Sequence, residues 1–289
     1  MKNYGTVIRN IRKRKGLTLK EVAGNGVSLS QLSNFELNNS GFSLDKLFTV
    51  LENMSVSLEE FEHAVRGYRL NPFDQLVREA SSLFNEENIH GLKKLINDQK
   101  KNSPPPGGWA VRQKLTLIMI KNKLAEIDEK TRLREEEKEQ VVDYLIHVKE
   151  WTHYELILYS NTMSALSTDD LVDLTQDILS RTVYYQEIPR NRQLVTGVIL
   201  NSIIILLNRK EMELARRFEK ILRFKQIDEE SLFDKNLLLF ATGALEFYEG
   251  QKDSGKKKMK QAIEIFDCLK SYHLSQMYKA DYEELVKED

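Results

Sequence analysis

A helical pattern that recurs about every 40 residues restricts the fold of this chain more than any other feature. The segments that share it are LIMIKNKLAEID, ELILYSNTMSALS, TGVILNSIIILLN and LLLFATGALEFYEG, each followed by a second amphipathic segment. Aligned on Asn122, Asn161 and Asn201, they are spaced 39 and then 40 residues apart, and Ala241 takes the asparagine position in the fourth. FDQLVREASSLF and EENIHGLKKLINDQ form an earlier, more divergent pair. This period is typical of helix-pair solenoids, in which neighbouring repeats cover each other's apolar faces.

Helical periodicity over almost the whole chain predicts an all-α fold. Its character changes near RGYRLNPFDQL, residues 66–76, where short helices give way to long ones and Asn71-Pro72 suits a helix start. We therefore expect a first domain over residues 1–66, a linker over 67–72 and a repeat domain over 73–289. The segment SPPPGG at 103–108 is the alternative boundary, and we interpret it as a connection between two helices.

The charges of the chain nearly cancel, with 43 Lys and Arg against 44 Asp and Glu, so any site for a polyanion must come from local clustering. Such a cluster exists at the N-terminus. The first twenty residues contain no acid and carry Lys2, Arg9, Arg12, Lys13, Arg14, Lys15 and Lys20. The start MKNYGTVIRN lacks the apolar core of a signal peptide, and Asn201 and Ser202 interrupt the longest apolar run. We expect a cytoplasmic protein that does not enter a membrane.

The sequence offers no set of residues typical of metal binding or catalysis. Cys268 is the only cysteine, which excludes an internal disulfide, and no histidine has the spacing of a zinc site. There is no phosphate-binding loop, nucleophile elbow or Ser/His/Asp set. We therefore predict a protein that is not an enzyme and needs no cofactor. Cys268 is expected to be a buried apolar residue, with an intersubunit disulfide as the alternative.

Residues 16–36, GLTLKEVAGNGVSLSQLSNFE, predict two short helices around a tight turn. LKEVA has helical spacing, GNGV permits left-handed backbone, and Ser28 is a good N-cap for LSQLSNFE. Leu32 and Phe35 should face inward against Leu19 and Val22. The outer face of the second helix is then small and polar, as a helix that enters the major groove of DNA requires.

We therefore predict an interface with double-stranded DNA at the N-terminus. Asn34 can pair with an adenine edge, and Leu29 can touch a thymine methyl group. Cations at the end of the first helix would contact phosphates. The alternative is an ordinary solvated surface with no ligand. The predicted DNA-binding residues are Arg9, Arg12, Lys13, Arg14, Lys15, Ser28, Leu29, Ser30, Ser33 and Asn34.

The segments IRNIRKRKGLTLKEVA, VSLSQLSNFE and SLDKLFTVLENMSVSLEEF resemble the XRE-type helix-turn-helix family, whose characteristic glutamate is present as Glu36. LNNSG at 37–41 departs from the pattern, in which a glycine commonly follows that glutamate. With the repeats and EWTHYELILYSNT at 150–162, nearly the whole chain resembles the Rgg/GadR/MutR regulators of Gram-positive bacteria. The resemblance implies a helix-turn-helix domain followed by a TPR-like solenoid, a homodimer, and control of transcription by a short hydrophobic pheromone peptide on the concave side of the repeats.

The repeated asparagines could serve such a peptide, because an amide side chain can donate to and accept from a peptide backbone whatever its sequence. Counting back in helical steps from Asn161 places Tyr154, Ile157 and Leu158 on its face of the helix. The same count from Asn201 reaches Gly197, Leu194 and Arg190, and Arg190 could hold a carboxylate. The alternatives are that the asparagines cap or satisfy neighbouring helices, and that the repeats bind a protein partner. The predicted peptide-binding residues are Asn122, Tyr154, Ile157, Leu158, Asn161, Arg190, Leu194, Gly197 and Asn201. The terminal segment KKMKQAIEIFDCLKSYHLSQMY is the expected dimer contact.

Overall fold

The computed structural model describes residues 3–101, 108–185, 187–225 and 227–287 of the chain, and all the regular structure in these ranges is helical. The all-α prediction is therefore confirmed. The chain divides into two compact units, Met1–Ser82 and Leu83–Asp289. The loop predicted within SPPPGG lies outside the described residues except for Gly108, which begins a helix. None of the helices in the described ranges has the length and apolar character needed to cross a bilayer.

The first unit contains five short helices and most of a sixth. They are α1 (Tyr4–Arg14), α2 (Leu19–Ala23), α3 (Leu29–Glu36), α4 (Leu44–Asn53), α5 (Leu58–Val65) and α6 (Pro72–Asn85). Residues 67–71 of the predicted linker fall between α5 and α6, and Pro72 begins α6. Asn71 Oδ1 accepts a hydrogen bond from the backbone N–H of Asp74 (2.9 Å), as an N-cap does. The two compact units divide within α6, after Ser82.

Local signals fix the ends of α2 and α3. Thr18 and Glu21 form a capping box at the start of α2, and the Ser28 side chain accepts a hydrogen bond from Gln31 N at the start of α3. Between the helices, Gly24 has φ of 55°, a conformation that glycine adopts without strain. Leu32 and Phe35 are buried in one apolar core with Val22. The predicted pair of short helices is confirmed.

Helix pairs make up the second unit. Its remaining helices are α7 (Ile89–Lys101), α8 (Gly108–Ile127), α9 (Glu135–His147), α10 (His153–Ser160), α11 (Thr168–Arg181), α12 (Pro189–Asn208), α13 (Met212–Lys225), α14 (Leu232–Tyr248), α15 (Lys252–Cys268) and α16 (Tyr272–Lys287). The first helix of each pair packs on the first helix of the next, since α8 contacts α10, α10 contacts α12 and α12 contacts α14. These four helices form one layer of the repeats, and we call it the inner layer.

Two glycines face each other where α14 packs on α15. A Cβ atom on Gly243 would lie 2.8 Å from Gly255 O, and one on Gly255 would lie 2.5 Å from Gly243 O. Both glycines are buried, so their missing side chains permit the backbones to meet. On the same helix pair, Cys268 is exposed, which shows that the prediction of a buried cysteine is wrong. Cys268 does not lie on the face of α15 that is buried in the core. That face carries Met259, Ala262, Ile263 and Phe266.

Candidate functional site

The residues predicted to contact DNA lie on α3 and at the end of α1. Leu29 of α3 is 50 % exposed, Ser30 and Asn34 are exposed, and Ser33 is half-buried. Ser28 is occupied as the helix cap, and its Oγ lies 3.2 Å from Ser30 Oγ. The face of α3 opposite the core therefore consists of small and polar side chains with one leucine.

Three cations at the end of α1, Lys13, Arg14 and Lys15, are exposed, whereas Arg9 is half-buried. Arg14 Nη1 donates a hydrogen bond to Tyr68 Oη (2.9 Å), and Lys15 Nζ donates to Ser55 O (3.3 Å). These contacts hold two of the cations near the surface of the unit while leaving them in solvent. They also lie beside the C-terminal end of α1, where cations favour the helix dipole.

Arg12 does not belong to this exposed group because it is buried, so the prediction that it contacts phosphates is wrong. Its Nε and Nη2 donate to the two carboxylate oxygens of Glu36 at 2.6 and 2.7 Å, and its Nη1 donates to Leu17 O at 2.9 Å. The two side chains are only 10 % and 3 % exposed. The hydrogen bonds to Glu36, opposed by burial, raise the pKa of the guanidinium. This bidentate pair ties α1 to the end of α3 and so holds the outer helix in place.

The predicted peptide-binding residues of α8 and α10 have mainly structural roles. Asn122 is 2 % exposed, and its Nδ2 donates to Asn161 O (3.1 Å) and Ser164 Oγ (2.9 Å) of the next repeat. Leu158 is fully buried in the core, so its prediction as a lining residue is wrong. Asn161 lies one residue beyond α10, and its Nδ2 donates back to Ile157 O (2.7 Å). Asn122 therefore satisfies hydrogen-bond acceptors of the next repeat, and Asn161 caps α10, as the alternative interpretation predicts.

Tyr154 and Ile157 of α10 are half-buried. Tyr154 Oη donates to Arg112 O (3.1 Å), while the Arg112 guanidinium lies over the tyrosine ring at 4.9 Å from its centroid. Burial raises the pKa of Tyr154 to about 12. This arrangement fixes an aromatic ring and a cation together at the beginning of the inner layer.

The remaining predicted residues form one stripe along α12. Arg190, Leu194, Gly197 and Asn201 are spaced four, three and four residues apart, which places them on one face of the helix. Arg190 and Asn201 are exposed, and Leu194 and Gly197 are half-buried. A Cβ atom on Gly197 would have no neighbour within 4 Å, so nothing in the packing of the described residues requires glycine there. We call these four residues the α12 stripe.

Comparison with known proteins decides the family. The family model described as "HTH-type transcriptional regulator Rgg, C-terminal domain" matches residues 92–280. The chain belongs to the Rgg family. The family consists of transcriptional regulators, which are not a class of enzymes. The prediction of a transcriptional regulator is therefore confirmed.

Solved structures agree with this assignment. The SHP pheromone receptor Rgg2 of Streptococcus dysgalactiae is 27 % identical with a TM-score of 0.84, and the match covers 97 % of this chain and 99 % of that one. A putative transcriptional regulator from Listeria monocytogenes EGD-e is 21 % identical with a TM-score of 0.83, covering 99 % and 98 %. PrgX in its complex with iCF10 is 13 % identical with a TM-score of 0.75, covering 100 % and 98 %. The last two likenesses concern the fold alone.

Several surface residues of this Rgg-family chain were not found from the sequence. Gln31 is exposed on α3, three residues before Asn34, and that helical spacing could have revealed it. In the same way, Ile204 and Asn208 continue the α12 stripe at steps of three and four residues beyond Asn201. Asp281 and Glu284 of α16 line a cavity together with Asn208. No sequence signal pointed to these carboxylates, because α16 does not follow the repeated pattern.

Proposed function

We propose that this Rgg-family chain is a cytoplasmic regulator that binds operator DNA through α3 and the end of α1. The support is the exposed polar face of α3 beside the cations of α1, held by the buried pair of Arg12 and Glu36. Lys13, Arg14 and Lys15 would contact phosphates, and Ser30 and Asn34 would contact base edges. Since one such helix reads few base pairs, a homodimer on two half-sites is part of the proposal.

The second part of the proposal is that a short, mainly apolar peptide binds on the α12 stripe and controls the regulator. The observation that carries it is Gly197. A glycine in the interior of a helix costs about 1 kcal/mol relative to alanine, so its presence calls for a reason. Packing among the described residues supplies none, because a Cβ at this position would have none of their atoms within 4 Å. Close approach of a ligand backbone to α12 would supply one.

The neighbours of Gly197 suit such a ligand. Leu194 offers an apolar contact, and the exposed Asn201 can pair with a peptide group by both donating and accepting. Arg190, at the beginning of α12, can hold a carboxylate. The related structures support this, since Rgg2 of Streptococcus dysgalactiae is a pheromone receptor and PrgX was solved in a complex with iCF10.

The test uses the full-length protein and a pool of synthetic octapeptides with free ends, varied over Leu, Ile, Val, Phe and Gly. Peptides retained through size exclusion are identified by mass spectrometry, and their affinities are then measured singly. We expect Gly197→Trp to lower the affinity of the retained peptides at least tenfold, because the indole fills the path along α12. Gly197→Ala should weaken binding less than Gly197→Trp, because its methyl group enters only part of the space assigned to the ligand backbone. The exposed Lys257→Trp on α15 is the matched control and should bind as the wild type does.

Two results would contradict the peptide proposal. Equal affinity in Gly197→Trp and the wild type would place the peptide off the α12 stripe. If the wild type retained no octapeptide, while a protein partner were captured by the repeats, the partner interpretation of the repeats would replace it.

A further inference from the structure

A cavity of about 240 Å³ lies at the C-terminal ends of three helices of the repeat unit, α12, α14 and α16. Its apolar walls include Leu207, Phe240 and Ala244, all of which are buried. Its polar residues include Asn208, Asp281 and Glu284. Lys210 and Tyr248 also line it, so the cavity combines an apolar floor with two carboxylates, an amide, an ammonium and a phenol.

The charges that line the cavity are unbalanced. Asp281 and Glu284 contribute two carboxylates, and Lys210, two residues beyond the end of α12, contributes one ammonium. Asp281 is half-buried, and burial together with the nearby charge of Glu284 raises its pKa. A carboxylate in this condition gains from a cation placed beside it, because the cation offsets both poor solvation and like-charge repulsion.

The cavity continues the α12 stripe. Ile204 and Asn208, which line it, lie on the same face of α12 as Asn201. Arg190 and Asn208 are separated by 18 residues, which is about five helical turns and about 27 Å along the axis. One end of the stripe thus carries a cation and the other end opens into a cavity with a net negative lining. An extended peptide of about eight residues would span this distance.

We propose that the cavity receives the N-terminal ammonium group of the bound peptide, with the peptide's carboxylate end directed toward Arg190. This assignment rests on the peptide binding proposed above and adds the direction of the peptide. The α-amino group has an ordinary pKa of about 8, so most of it is charged at neutral pH. Asp281 and Glu284 would pair with the ammonium, while Phe240 and Ala244 would contact the first side chain of the peptide.

The experiment compares octapeptides that are retained by the full-length wild type with their N-acetylated copies. Acetylation removes the positive charge and leaves the rest of the peptide unchanged. We expect the acetylated copies to bind about tenfold more weakly, since hydrogen bonds to charged groups are the stronger ones. In the double variant Asp281→Asn, Glu284→Gln this difference should fall to less than twofold. Glu283→Gln, an exposed carboxylate on the same helix that does not line the cavity, should keep the full difference.

The outcomes separate this assignment from the proposal on which it rests. If no octapeptide is retained by the wild type, peptide binding fails and the assignment fails with it. If free and acetylated peptides bind equally well, peptide binding stands and the assignment of the cavity is wrong. Acetylated peptides with lysine at the first position provide a third comparison. We expect them to recover part of the lost affinity, because the lysine ammonium can replace the acetylated N-terminus in the cavity, and no recovery together with equal loss in the double variant would contradict the assignment.

Discussion

Asn34 and Lys13 have different expected roles on the same surface, although both are polar and exposed. An amide that pairs with a base edge distinguishes sequences, whereas an ammonium near a phosphate does not. We expect Asn34→Ala to cost about 1–3 kcal/mol at the selected operator and little on random duplex. Lys13→Ala should weaken both by a similar factor and reduce the salt dependence. Gel-shift titrations on a duplex selected by the protein and on random DNA check this, and an equal loss on both for Asn34→Ala would contradict it.

The pair of Arg12 and Glu36 gives a prediction on stability. Removal of one partner leaves the other as an uncompensated buried charge, for which the usual cost is about 3–5 kcal/mol. We therefore expect Glu36→Ala to unfold the first unit at a much lower urea concentration, and to abolish binding to operator and random DNA together. Circular dichroism in a urea titration measures the first effect. Glu62→Ala, which breaks the exposed pair with Arg66, is the control and should shift the midpoint very little.

The role of Arg12 could not be predicted from the sequence. A run of cations predicts a basic surface, but a partner 24 residues away becomes visible only when α1 and α3 are packed together. The resemblance to helix-turn-helix proteins did draw attention to Glu36, without indicating its partner. Position within the fold, and not residue type, therefore decides which of these cations is available to a ligand.

At the scale of helices, the repeat was predicted well, whereas the roles of Asn122 and Asn161 were not. The alignment correctly brought Asn122 beside Asn161, which lie 39 residues apart and are joined by a hydrogen bond. The third asparagine differs because the helices have different lengths. Since α10 ends at Ser160, Asn161 falls at its cap, whereas α12 continues to Asn208 and leaves Asn201 within the helix. Periodicity locates a position in a repeat, but helix length determines which groups that position can reach.

Two glycines within helices of the repeats should respond oppositely to the same substitution. Gly197→Ala places a methyl group in open space, and we expect it to raise the free energy of unfolding by about 0.5–1 kcal/mol. Gly243→Ala pushes a methyl group against the backbone of α15, and we expect a loss of about 1–3 kcal/mol. Urea unfolding of both variants beside the wild type checks the pair. A destabilised Gly197→Ala would mean that packing, not a ligand, requires that glycine.

For the whole molecule, we expect a homodimer with contacts in the turn between α15 and α16. Leu269 and Tyr272 are 62 % and 60 % exposed there, and large apolar side chains at neighbouring positions are typical of interfaces. Light scattering at micromolar concentration should give twice the chain mass of 33.7 kDa. The double variant Leu269→Glu, Tyr272→Glu should give the single mass, while Val111→Glu, at another exposed apolar position, should stay dimeric. A wild-type mass of one chain would reject the dimer.

The open space beside Gly197 also has a consequence for evolution. Most changes to a binding surface lower stability, and natural selection removes those that fall below the threshold for folding. At Gly197 this restraint is absent, because a small side chain fits and favours the helix. A single codon change could therefore fill the space beside the α12 stripe and alter which peptide binds, with no compensating mutation elsewhere. Proteins of this family that bind different peptides are therefore expected to differ at this position early in their divergence. Where the glycine persists, selection for peptide binding, and not for folding, would have to maintain it.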